Sequence, residues 1–149
     1  MARNETPQQA AIYVRAATEG HEPDALAVQG FACRGFCVDR GYVVGAEDVY
    51  REVAPGLSLD DRAELARLRR AMAAGGVAAV VATAPDRLSR EASHIVDLVA
   101  EAERAGARLE FVFVGDEEFR ALDDAYASVR GLAGMRKVAA RGGDDGDPR

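Results

Sequence analysis

The chain has 149 residues, 48% of them hydrophobic and 6% aromatic, with no Trp. That is the size of one domain and enough to bury a core built mainly from Ala, Val and Leu. A formal net charge of −6 excludes a protein that binds DNA with its whole surface, because such affinity comes from neutralising phosphates; any nucleic-acid contact must come from a local basic patch.

No apolar run approaches the roughly 20 residues of a bilayer span, and Met1 to Pro7 lacks the apolar core of a signal peptide. A cytoplasmic protein with no membrane partner is expected. Cys33 and Cys37 stand one helical turn apart, with no His or further Cys at ligand spacing. They are expected to be free, buried or half-buried thiols, with no metal, no cofactor and no disulfide. Nearly every basic residue is Arg, Lys137 being the only lysine, and arginine suits bidentate phosphate contacts.

In chain order, residues 1–9 are polar and expected to be disordered. Residues 10–15 read as a strand of the continuous apolar kind found inside parallel sheets. A loop from Ala16 to Pro23 holds His21, read as a solvated residue. Asp24 is an expected N-cap for a helix running to Arg40, with Leu26, Gln29 or Gly30, Cys33 and Cys37 facing inward and Gly41 just past its end. A second strand is expected within Tyr42 to Tyr50, then a loop over Arg51 to Leu59. Asp60 or Asp61 caps the next helix, Asp61 and Glu64 having capping-box spacing; Leu65, Leu68 and Met72 form its buried face, and Gly75-Gly76 ends it. A third strand is expected over 77–83, a turn at Pro85, and a helix from Ser89 to Arg104 with Ile95, Leu98, Val99 and Ala102 inward and His94 beside them. Gly106 stops that helix, and Leu109 to Val114 is a fourth strand. An amphipathic helix over Asp116 to Arg130 follows, presenting Phe119, Leu122, Tyr126 and Val129.

Strands alternating with helices predict an α/β fold: a mainly parallel sheet of four or five strands with helices on both faces. The expected divisions are a catalytic-type domain over 10–114, a helical extension over 115–135 and a disordered tail over 136–149. In such a sheet ligands bind at the carboxyl ends of the strands. Arg15 closes the first strand, Arg62 opens the helix after the second, and Arg87 and Arg90 follow the third, spaced to share a helical face. Helix N-termini add partial positive charge there. Four guanidinium groups at one rim predict a site for a phosphate or phosphodiester. Asp86 is either an N-cap or a group that orients the arginines beside it.

These residues carry a resemblance. Tyr13-Val14-Arg15, then Gln29, then Asp61-Arg62, then Asp86-Arg87-Leu88-Ser89-Arg90 follow in the order of the serine recombinases, the resolvase and invertase family, over residues 11–114. The resemblance implies a resolvase-like three-layer sandwich and metal-free attack of a serine on a DNA phosphodiester, with Arg15, Arg62, Arg87 and Arg90 stabilising charge and Gln29 and Asp86 in support. At the position of that serine stands Ala17, which has no hydroxyl. The side chain of Thr18 should leave the backbone in another direction, and a further family serine is matched by Pro55. The family's long dimer-forming helix is matched here by a segment that begins Gly115-Asp116-Glu117-Glu118. The expected function is therefore that of a pseudoenzyme, acting through DNA or phosphate binding, or through pairing with itself or an active recombinase. The alternatives are an active recombinase, with Ala17 introduced or activity residual, and a small phosphate- or nucleotide-binding module.

Overall fold

The computed structural model describes residues 7–16, 22–54 and 62–113, together with Arg120, Asp124 and Ala127, the side chains of 22–24 excepted. Ala17, Thr18, His21, the Asp24 cap, Pro55, Asp60 and Asp61, and the apolar stripe of the 116–130 helix lie outside the described residues. So do most of the N-terminal segment and the tail from 136 on.

The apolar run at the start is β1, Ala10–Ala16, buried along its whole length. It can be so because neighbours hydrogen-bond it on both sides. β2 (Val49–Val53) and β3 (Ala79–Ala82) both pair with it in parallel, and β4 (Arg108–Phe111) pairs with β3. The described sheet has four parallel strands in the order β2-β1-β3-β4. Alternation along each strand divides the side chains between two cores. Ala10, Ile12, Val14, Ala79 and Val81 pack against Cys33 and Cys37 of α1 (Glu22–Arg40). Ala11, Tyr13, Val80, Ala82, Leu109 and Phe111 pack against α2 (Ala63–Ala73) and α4 (Ala92–Ala105). Helices thus cover both faces, as the alternation of elements predicts. No described helix is long and apolar enough to cross a membrane.

The inward stripes follow the sequence. Leu65, Leu68 and Met72 are buried on α2, and Ile95, Leu98, Val99 and Ala102 on α4. Gly106 ends α4 with φ 77°, a left-handed turn that only glycine enters cheaply. Several boundaries differ: the third strand is Ala79–Ala82, inside the expected 77–83, and the fourth is Arg108–Phe111, ending short of the expected Val114. The second strand is Val49–Val53 and not a run within Tyr42 to Tyr50; Val43 makes only an isolated bridge to Gln9, and a 3-10 turn at Ala46–Asp48 intervenes. Arg51 to Val53, expected in a loop, belong to this strand. The helix expected from Ser89 is α4, which starts three residues later at Ala92, and the turn expected at Pro85 is a one-turn helix, α3, Pro85–Leu88, with Ser89 capping its end. Proline at the first position of α3 fits a helix start, where its missing N–H is no loss. Finally, α1 begins at Glu22, ahead of the expected cap.

Cys33 and Cys37 are free and buried. Burial, with a smaller contribution from Cys37, pushes the Cys33 thiol from 9.0 up to about 12; burial and then Glu110 raise Cys37. A raised folded-state value means that stability is complete below the unfolded thiol's range and declines as pH climbs toward about 12. Iodoacetamide at neutral pH is expected to label neither thiol in the folded protein and both in urea. Stoichiometric labelling of the native protein would contradict this burial.

Candidate functional site

Arg15 lies near the end of β1, on the same side as Tyr13 by the strand's alternation. Its side chain is 0% exposed. Nε donates to the carbonyl of Arg87 (2.9 Å), Nη1 to that of Ala54 (2.7 Å) and Nη2 to that of Asp86 (2.6 Å). One guanidinium thereby ties together β1, the chain leaving β2 and α3. Its own peptide group is held by Gln29: the Arg15 N–H donates to Oε1 (3.0 Å) and Nε2 donates to the Arg15 carbonyl (2.8 Å). The Arg87 Nη1 donates to that same carbonyl (2.8 Å). Burial lowers the Arg15 pKa to about 10, helped by the neighbouring charges of Arg87, Arg62 and Arg90.

Arg62, also 0% exposed, immediately precedes α2 in extended conformation. Nε and Nη2 donate to the Tyr13 hydroxyl (3.2 and 2.9 Å), and Nη2 also reaches the Arg87 carbonyl (3.2 Å). The Tyr13 hydroxyl donates to Glu52 (2.7 Å). The Glu52 carboxylate lies 3.9 Å from Arg62 Nε and accepts the N–H groups of Glu64 (2.8 Å) and Leu65 (3.0 Å). A strand carboxylate therefore caps α2, where the sequence predicted a capping box from Asp61; no side chain at Arg62 does so. Burial, then the bond to Glu52, holds the Tyr13 phenol well above its ordinary range, against the opposing pull of Arg62. Arg62 Nη1 is buried and has no hydrogen-bond partner among the described residues.

Arg87 is half-buried, its Nε 3.2 Å from the Asp86 carboxylate. Asp86 is not an N-cap: that position is Ala84, and Asp86 sits inside the first turn. Arg90 is exposed and lies between α3 and α4, so it shares no helical face with Arg87. The structure thus brings Arg15, Arg62, Arg87, Gln29 and Asp86 together, with Arg90 within electrostatic reach of Arg15. Arg15 and Arg62 are interior groups, not members of an exposed rim. The position of Ala17 lies just past this cluster in sequence, outside the described residues.

Sequence reasoning missed two members. Glu52 was hidden by the misplaced strand, although the β-type run Val49-Tyr50-Arg51-Glu52-Val53 was a usable signal. Ser89 was the other: its Oγ lies 2.7 Å from His94 Nδ1 and accepts the Glu91 N–H (3.0 Å), joining α3 to α4.

The profile of the resolvase N-terminal domain matches residues 10–141. The chain belongs to the resolvase family of serine recombinases. Solved structures agree in fold. The C-terminal catalytic domain of ISC1926 TnpA, an IS607-like serine recombinase, is 21% identical, with a TM-score of 0.64 over 87% of this chain and 99% of that one. The N-terminal catalytic domain of TP901-1 integrase is 18% identical, with a TM-score of 0.65 over 87% and 97%. A resolvase-family site-specific recombinase from Streptococcus pneumoniae is 17% identical, with a TM-score of 0.64 over 90% and 91%. None of the curated proteins is significantly similar in sequence. In this serine recombinase domain, the first strand and the Asp-Arg-Leu-Ser-Arg segment that carried the resemblance are the two segments bridged by Arg15.

Proposed function

We propose that this resolvase-family domain grips a DNA phosphodiester without cutting it. Ala17 supplies no nucleophile, and a covalent phosphoserine link cannot form at that position. What supports binding is a surplus of donors in a cluster whose other hydrogen bonds are satisfied. Arg62 Nη1 is buried without a partner among the described residues, a costly arrangement unless an anion completes it. Among the described residues Arg87 commits only Nε and Nη1, and Arg90, three residues on, is exposed. In this reading Arg62, Arg87 and Arg90 contact phosphate. Arg15 and Gln29 fix the end of β1, and Asp86 orients Arg87.

The test is duplex binding followed by fluorescence anisotropy across a salt series. Three phosphate contacts give a slope of roughly −3 in log affinity against log salt. Arg87→Ala is expected to weaken binding and flatten that slope by about 1. Absence of binding at low salt would end the proposal.

A further inference from the structure

α1 is apolar on two sides. Its inner stripe meets the sheet, but Phe31 on the outer side is 83% exposed. Beside it runs β2, an edge strand paired only with β1 among the described residues. Between them lies an open groove of about 430 Å³, lined by Leu26, Ala27, Gly30, Phe31, Arg34 and Arg51. Gly30 keeps its floor open, since a Cβ there would meet nothing within 4 Å. None of these residues belongs to the arginine cluster described above.

Two arginines stand at the groove. Arg40, Arg67, Arg69 and Arg108 each pair with a glutamate. Arg34 and Arg51 are exposed and have no carboxylate partner among the described residues. Among the described residues, two cations without a carboxylate partner therefore flank an apolar floor beside an edge strand. A phosphodiester would answer the arginines but leave Leu26 and Phe31 against water. An acidic peptide with one large apolar side chain answers both, and a strand edge offers main-chain groups to such a segment.

We propose that this groove docks an acidic peptide segment of another protein, with an aromatic or aliphatic side chain set against Phe31 and carboxylates against Arg34 and Arg51. The probe is a short fluorescein-labelled peptide of Asp and Glu surrounding one Phe and one Leu, titrated with the full chain. Saturable binding is expected, weakened about tenfold or more by R34E/R51E and by replacing the peptide's Phe with Ala. The double variant is expected to prefer the same peptide with Lys in place of its acids. Both substitutions are on the surface, so a circular dichroism spectrum matching the wild type is expected. No saturable binding at millimolar protein, or equal affinity for wild type and variant, would overturn the proposal. So would DNA binding lost in the same variant, which would make the groove a nucleic-acid surface. Self-association abolished by R34E/R51E would make it an interface between copies, and would overturn it too.

Discussion

The wild-type chain is expected to leave no covalent link to DNA under any condition, and Ala17→Ser is expected to create one. Removing a nucleophile from an otherwise intact site costs on the order of 10⁶ in rate, the remainder coming from binding and charge stabilisation. Restoring it returns the step that those other groups cannot perform. Here the groups that would stabilise charge are held by a dense hydrogen-bonded frame. Arg62 is fixed by Tyr13 and the Arg87 carbonyl, and Arg87 by the Arg15 carbonyl and Asp86. The measurement is an SDS-resistant protein–DNA adduct on labelled supercoiled plasmid, with nicking scored on the same gel. An adduct from the wild-type chain would refute the non-cutting reading outright. A folded Ala17→Ser protein that binds DNA but yields no adduct would mean that the arginines serve binding alone.

The largest effect on stability is expected at Glu52. Its carboxylate is 7% exposed, accepts three hydrogen bonds and faces the wholly buried Arg62. Glu52→Ala leaves that cation uncompensated, strands the Tyr13 hydroxyl and uncovers the first N–H groups of α2. Breaking a buried pair by removing one partner costs about 3–5 kcal/mol. Against a typical total of about 5–15 kcal/mol, this is a large share of the fold's margin. Urea denaturation followed by circular dichroism should show a marked fall in midpoint. Glu52→Gln, which keeps the shape and one accepting oxygen, should lose less. A Glu52→Ala midpoint indistinguishable from wild type would show that the buried pair contributes nothing to stability.

The parts of this fold that depend on local chemistry were legible in the sequence. The unbroken apolar run of β1 is what a strand buried on both faces requires, and the stripes of α2 and α4 gave their inward residues correctly. Gly106 marked a helix end for a backbone reason. β2 was only partly legible: its run of β-formers was a signal, but Gly45, Glu47 and Asp48 break the approach to it and Glu52 is a charge within it. Its burial makes sense only beside Tyr13 and Arg62, which are distant in sequence. Arginine is usually exposed, so Arg15 and Arg62 read naturally as rim residues. That the donors of Arg15 face main-chain carbonyls, and those of Arg62 the Tyr13 hydroxyl and one carbonyl, is tertiary information, and no spacing along the chain encodes it. Splitting Pro85 to Ala105 into two helices was likewise hidden, since the turn at Ser89 is stabilised by its contact with His94.

Arg15 and Arg62 hold α3 by its peptide oxygens and not by its side chains. Other residues at 86 and 87 that preserved the same turn would still present those oxygens, so the hold of Arg15 and Arg62 on α3 does not depend on the side chains there, although Arg87 adds a bond of its own to the Arg15 carbonyl. Arg15, by contrast, is indispensable to the architecture whether or not anything is ever cut. A lineage that abandons cleavage gains no licence to discard it. Its presence therefore speaks for foldedness, and chemistry is better read from Arg90, the free part of Arg87 and the Arg62 nitrogen that has no partner among the described residues.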